Sequence, residues 1–174
     1  MEIISKQKDN LTIANTSDNS TEDTWKWMNT KLVPNNKRDI YWRLQHNALP
    51  LGYRIRHIDP NDPGNCPNCR NIVQTPEHFA LSCPISQKIW KISTELVASP
   101  ANLKIPNDFN SIFTDRYTGN IQWRNWINII TIYEIWYWYT QAKWGDSIPD
   151  PILELLIKHR LRKELEVLRN KITK

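Results

Sequence analysis

Four glycines in 174 residues are few, and that scarcity excludes whole classes of chemistry. A loop that cradles phosphates on backbone N–H groups needs clustered glycines, and no glycine-rich run occurs here. The paired aspartates that a polymerase sets on a strand turn are missing, since no Asp-Asp motif exists in the chain. Alternating runs of β-branched residues are almost absent, while eleven prolines outnumber the glycines. That balance predicts helices punctuated by proline. The longest apolar-rich stretch, Trp126 to Tyr139, is too short to cross a bilayer and contains Glu134. Met-Glu-Ile-Ile leads directly into polar residues, so a cleavable signal is not expected. The expectation is therefore an intracellular protein, in nucleus or cytoplasm, with no membrane partner and no small-molecule substrate. Three cysteines cannot all pair, which argues against a disulfide framework.

All three cysteines fall within eighteen residues, together with one of the four histidines. The spacing is Cys-x2-Cys-x8-His-x4-Cys, from Cys66 and Cys69 through His78 to Cys83. Zinc takes four soft or borderline ligands at tetrahedral corners, and three thiolates with one imidazole supply them. Pro67 and Asn68 suit the tight turn between the first two cysteines. Thr75 can cap a helix, Pro76 fits its first position, and His78 then lies in the first turn. Cys83 follows just over one turn later. A redox Cys-x2-Cys pair would need a strand before it and a helix carrying it. Here a loop, Asp59 to Gly64, precedes it and polar residues follow. The pattern predicts one structural Zn2+ held by Cys66, Cys69, His78 and Cys83, with no open coordination position.

Flanking motifs extend the pattern. Asp39-Ile-Tyr-Trp-Arg-Leu-Gln-His-Asn-Ala-Leu-Pro50, Cys66-Pro-Asn-Cys69, Thr75-Pro-Glu-His78, Cys83-Pro84 and Ile89-Trp90 occur in this order. Together they resemble the reverse-transcriptase zinc-binding domain found near the C-terminal end of non-LTR (LINE-type) retrotransposon polyproteins, downstream of the polymerase. The resemblance covers roughly residues 25 to 95. Gln74 stands where that family usually has glutamate, and Arg70 where glycine is common after the second cysteine. Neither position is a ligand. The resemblance implies an accessory module that binds RNA or DNA for a reverse transcriptase.

The fold class expected is mainly α, a helical domain stapled by a zinc knuckle and followed by long C-terminal helices. Residues 1–22 read as a disordered tail, because polar residues there cannot bury enough apolar area. Residues 23–98 form the zinc-binding helical domain, and 99–174 a helical extension packed on it. A first element near Thr21 or Thr24 carries Trp25, Met28 and Leu32 at helical spacing. A second starts near Asn36, with Ile40, Leu44 and Ala48 on one face and Trp42 flanking it. A short helix carries Tyr53, Ile55 and Ile58. From Pro84 the stripe Ile85, Ile89, Ile92 and Leu96 is amphipathic. A helical turn is expected around Asp108 to Asp115. A long helix from about Ile121 to Trp144 has two apolar stripes, one with Trp123, Trp126, Ile130, Tyr133 and Tyr137, the other with Ile129, Ile132, Trp136 and Tyr139. Such a helix is expected to be buried. The last helix, from about Asp150, carries Leu153, Ile157, Leu161, Leu165, Leu168 and Ile172.

Charge concentrates in two places. Lys158 to Lys174 holds seven Lys/Arg against two Glu, and Lys37 to Arg56 five against Asp39, so the remainder is net acidic. The candidate phosphate-binding residues are Lys37, Arg38, Arg43, Arg54, Arg56, Lys158, Arg160, Arg162, Lys163 and Arg169. The bland reading is a solvated face with i,i+4 pairs, Arg160–Glu164 and Arg162–Glu166. Trp42 beside Arg43 is the best-placed residue to stack on an unpaired base, whereas Trp90, Trp126, Trp136 and Trp138 are expected in the core. His46, His57 and His159 lack ligand spacing. Pro149-Asp150 and Glu154 to Lys158 faintly resemble the marks of a restriction-like nuclease. That core needs strands, however, and Pro151 onwards is helical, so no catalytic residue is assigned. The chain reads as a non-catalytic zinc module that binds RNA or DNA, either beside a reverse transcriptase or as a stand-alone remnant of one. The alternative is a protein-interaction module whose C-terminal leucine stripe meets a partner helix.

Overall fold

Proline fixes φ and removes a backbone donor, so it is tolerated at helix starts and excluded from interiors. The computed structural model, which describes residues 32–97, 105–114, 121–145 and 150–172, follows that rule. Pro34 precedes α1 (Asn35–Gln45), and Pro50 lies two residues before the single turn α2 (Gly52–Ile55). Pro84 opens α3 (Pro84–Leu96) directly after a π-helical segment, His78–Ser82. A short α4 (Ser111–Thr114), the long α5 (Ile121–Trp144) and α6 (Asp150–Ile172) complete the order. Among the described residues there is no strand, only an isolated antiparallel bridge between Asn65 and Val73. The protein is mainly α, as expected. The first element expected near Thr21 and the tail 1–22 lie outside the described residues. Leu32, the last residue of that element's stripe, is half-buried.

The central helix is α5, which packs against α1, α3, α6 and the π-helical segment. Trp126, Ile127, Ile129, Ile130, Ile132, Ile135, Trp138 and Tyr139 are all buried. Tyr133, Trp136 and Tyr137 are half-buried, and the Trp123 side chain lies outside the described residues. A helix covered on several sides must also satisfy its polar groups internally. Asn128 Nδ2 donates to the Ile112 carbonyl at 3.0 Å, and that same oxygen accepts from Tyr41 Oη at 2.7 Å. Thr131 Oγ1 bonds Ser93 Oγ of α3 at 3.0 Å. The α6 stripe Leu153, Ile157, Leu161 and Leu168 is buried, with Leu165 half-buried; the Ile172 side chain lies outside the described residues.

Two local expectations need correction. The buried face of α1 is Lys37, Tyr41 and Leu44 rather than Ile40, Leu44 and Ala48. The helix is rotated because the Tyr41 hydroxyl and the Lys37 ammonium both find partners inside, while Ile40 is only half-buried. Ile58 is 84% exposed, because α2 stops at Ile55 and the chain turns away before it.

Candidate metal centre and basic surface

The first half of the centre is a tight reversal. Cys66 N–H donates to the Ile72 carbonyl at 2.7 Å and Arg70 N–H to the Cys66 carbonyl at 2.7 Å. Gln74 N–H closes the base of the loop on Gly64 O at 2.9 Å. Arg70 lies in the left-handed region, φ 57°, directly after the second cysteine. That conformation explains why glycine suits the position. Two of the chain's four glycines seat the reversal against α2. A Cβ on Gly52 would stand 2.2 Å from the Gly64 carbonyl oxygen, and Gly64 itself has φ 72°. No larger residue fits that crossing.

The second half depends on a change of helical pitch. Thr75 Oγ1 accepts the His78 N–H at 3.1 Å, the expected cap. An α-helix continuing from there would rotate Cys83 by roughly 140° from His78. Instead the turn widens, and Cys83 N–H reaches back to the His78 carbonyl at 2.9 Å, an i→i+5 bond. The wider turn brings both donor side chains to the same side. Carbonyls released where the π-turn gives way to α3 find side-chain donors, Ser86 Oγ on Phe79 O at 2.6 Å and Trp90 Nε1 on Ala80 O at 2.8 Å. Phe79 then meets Tyr139 edge-on at 5.7 Å, fastening the segment to α5.

The four donors converge. One ligand atom each from Cys66, Cys69, His78 and Cys83 lie within 4.8 Å of one another. Cys83 Sγ is 3.9 Å from Cys66 Sγ and 4.0 Å from Cys69 Sγ. A tetrahedron with zinc–sulfur bonds of about 2.3 Å has edges of about 3.8 Å, so the spacing fits a zinc ion and excludes a disulfide. The His78 Nε2 atom is buried with no hydrogen-bond partner among the described residues, a cost that a metal would remove. Electrostatics agree. The Cys83 thiol is pulled down to about 5, first by the hydrogen bond from Cys66, then by the N–H groups of Ile85 and Ser86 at the start of α3. Cys66 is pushed up by that same hydrogen bond and by burial, and Cys69 by burial. Without a cation the three thiols compete for one negative charge; a divalent ion would let all three ionise. The cluster suits one structural Zn2+.

The ten basic candidates separate into two groups. Lys37 is only 4% exposed, its Nζ 2.5 Å from Glu164 Oε2 and 4.8 Å over the Tyr133 ring. Arg160 Nε bonds Glu134 Oε1 at 2.8 Å, with its guanidinium 3.6 Å from the Tyr137 ring centroid. Both therefore serve the fold, and Arg160 and Glu164 pair between helices rather than with each other along α6. Arg38 is half-buried and bonds Asn35, while Arg43 pairs with Asp39 at 2.8 Å on the surface. Arg54 and Arg56 are exposed, as are Lys158, Arg162, Lys163 and Arg169 on α6. Trp42 is half-buried and stacks on His46 at 4.3 Å. Trp90, Trp126 and Trp138 are buried, Trp136 half-buried, and His57 and His159 exposed. Sequence reasoning missed Trp144, which is 63% exposed at the end of α5. The signal was the adjacent Gly145, which marks a helix end.

No helix among the described residues is long and apolar enough to cross a membrane. No curated protein and no solved structure matches the chain. Residues 10–90 match the family model for zinc-binding in reverse transcriptase, and the motif order, the converged Cys3His cluster and the helical frame agree with it. This part of the chain is a reverse-transcriptase zinc-binding domain.

Proposed function

We propose that Cys66, Cys69, His78 and Cys83 ligate zinc, and that the chain is a non-catalytic intracellular module binding RNA or DNA beside a reverse transcriptase. Zinc would fix the two halves of the knuckle against each other; Gly52, Gly64 and Phe79 hold that knuckle against the helices. The observation that carries the reading is the family match itself, since a reverse transcriptase works on nucleic acid. The exposed cations Arg54, Arg56, Lys158, Arg162, Lys163 and Arg169 support it as phosphate contacts. Non-LTR retrotransposon origin, with the chain acting inside a larger protein or alone, follows from the same resemblance. The test is titration of labelled single-stranded RNA with zinc-loaded protein at two salt concentrations. Binding that weakens steeply with salt supports the reading, and no binding at low salt overturns it.

A second reading has its own observation. The α6 stripe once expected to meet a partner is buried, but Ile152, Leu155 and Leu156 on the other side of α6 are exposed. Such a patch suits a partner helix. Concentration-dependent dimerisation without RNA binding would favour it.

A further inference from the structure

An open groove of about 550 Å³ runs between the zinc knuckle and the end of α5. Asp59, Asn61, Asp62 and Asn65 line it, with Arg70 and Lys143 on its walls. Lys143 Nζ bonds Asp62 Oδ2 at 2.7 Å and lies 6.0 Å from the centre of the Trp144 ring. This sets the indole beside the groove wall. Tyr139 meets that ring at nearly a right angle, with 6.2 Å between centroids, and Trp144 remains 63% exposed. A tryptophan left so exposed gains little folding free energy from its own burial, unlike Trp90, Trp126 and Trp138 in the core.

Resting on the nucleic-acid reading above, we propose that this groove takes one unpaired nucleobase, with Trp144 stacking on it and Arg70 meeting the adjacent phosphate. Charge sets the polarity. Asp59 and Asp62 would repel a phosphate inside the groove, whereas a base is uncharged and the amides of Asn61 and Asn65 can meet its polar edge. Asp62 is partly neutralised, its carboxylate accepting from both Lys143 and the Gly64 N–H. Phosphate contact then falls to the exposed Arg70, and to Arg56, whose side chain packs beside Gly64. Stacking is tolerant of sequence, so the site recognises single strands rather than a particular base.

The experiment compares the zinc-loaded 174-residue chain with its Trp144→Ala and Trp144→Phe variants, on an oligouridine of about twelve nucleotides and on an abasic backbone of the same length. Trp144 is exposed, so neither variant should change zinc content or melting temperature. Trp144→Ala should weaken oligouridine binding about tenfold, with the salt slope kept, and Trp144→Phe should restore much of the loss. Binding to the abasic strand should be equal in all three. Wild-type binding that Trp144→Ala leaves intact overturns the stacking site while the nucleic-acid reading stands. Binding to neither oligonucleotide overturns both.

Discussion

The knuckle and the central helix are stabilised by opposite means. From Arg56 to Val73 only Gly64 and Cys66 are buried, so eighteen residues contribute almost nothing to a hydrophobic core. From Trp126 to Tyr139 eleven of fourteen consecutive residues are buried; Tyr133, Trp136 and Tyr137 are half-buried, and the buried polar residues Asn128, Thr131 and Glu134 hydrogen-bond inside. A segment with so little apolar burial cannot offset its ordering entropy, so the knuckle needs the metal and the helix does not. The two also treat a buried acidic function differently. The thiols would take their cation from outside, as a metal ion, whereas Glu134 has its cation built in, as Arg160.

Removing a ligand should have the largest effect and should fall on one side of this contrast. Cys66→Ser or His78→Ala is expected to lose the zinc and at least about 3 kcal/mol of stability in the knuckle. Hydrogen exchange after chelation is the sharper measurement: amides of residues 64–83 should lose protection while those of 126–139 keep most of theirs. Uniform loss across both regions would mean that the metal holds the helices as well. A variant that kept zinc and melting temperature would disprove the ligand set.

Next in size is the charge inside the helices. Glu134 is fully buried, with Arg160 and the Trp138 Nε1 donor both on Oε1 at 2.8 Å. Arg160→Met leaves the fully buried Glu134 carboxylate without its cation. Arg160 is about a third exposed, so the expected cost is about 2 kcal/mol, below that of a fully buried pair. Equilibrium urea unfolding reads it. Zinc content should not change, which separates this loss from that of a ligand.

These results show why some features were legible in the sequence and others were not. The zinc cluster is local: Cys66, Cys69, His78 and Cys83 are near in sequence, so spacing alone brought them together. The span of α5 was equally plain, because its boundaries coincide with its apolar pattern. The partners of Lys37 and Arg160 were not, since Glu164 and Glu134 lie 127 and 26 residues away and only tertiary packing selects them over the i,i+4 neighbours. The π-turn was hidden as well. His-x4-Cys specifies a separation, and α and π geometry compete for it until Ser86 and Trp90 take the released carbonyls.

Two carboxylates should titrate in opposite directions across the same contrast. Asp62 is held below the usual carboxylate range, first by the Lys143 hydrogen bond and then by the Gly64 N–H. Burial pushes Glu134 up, against the pull of Arg160 and Trp138. The stability that Asp62 contributes is present above its unfolded pKa, about 3.9, and is lost as pH falls through its lower folded value. Glu134 has the reverse sign: its ionisation subtracts stability as pH rises through its raised value. Carbon-13 titration of the side-chain carboxyls checks both, and a pair of curves displaced the same way would refute the contrast.

The smallest effect expected is at Arg70, where fold and binding pull apart. An L-residue at φ 57° costs about 1 kcal/mol, part of which glycine returns through the greater freedom of the unfolded chain. Arg70→Gly should therefore stabilise the zinc-loaded protein by up to about 0.5 kcal/mol, a rise of one or two degrees in melting temperature. The same substitution removes a cation from the groove wall. If Arg70 meets a phosphate, RNA affinity falls and the log–log salt slope loses about 0.7, the value for one contact on a single strand. Arg70→Lys separates the two effects, because it keeps both the strained backbone and the charge. A glycine variant that gained stability and kept its salt slope would leave the strain real and the phosphate contact wrong.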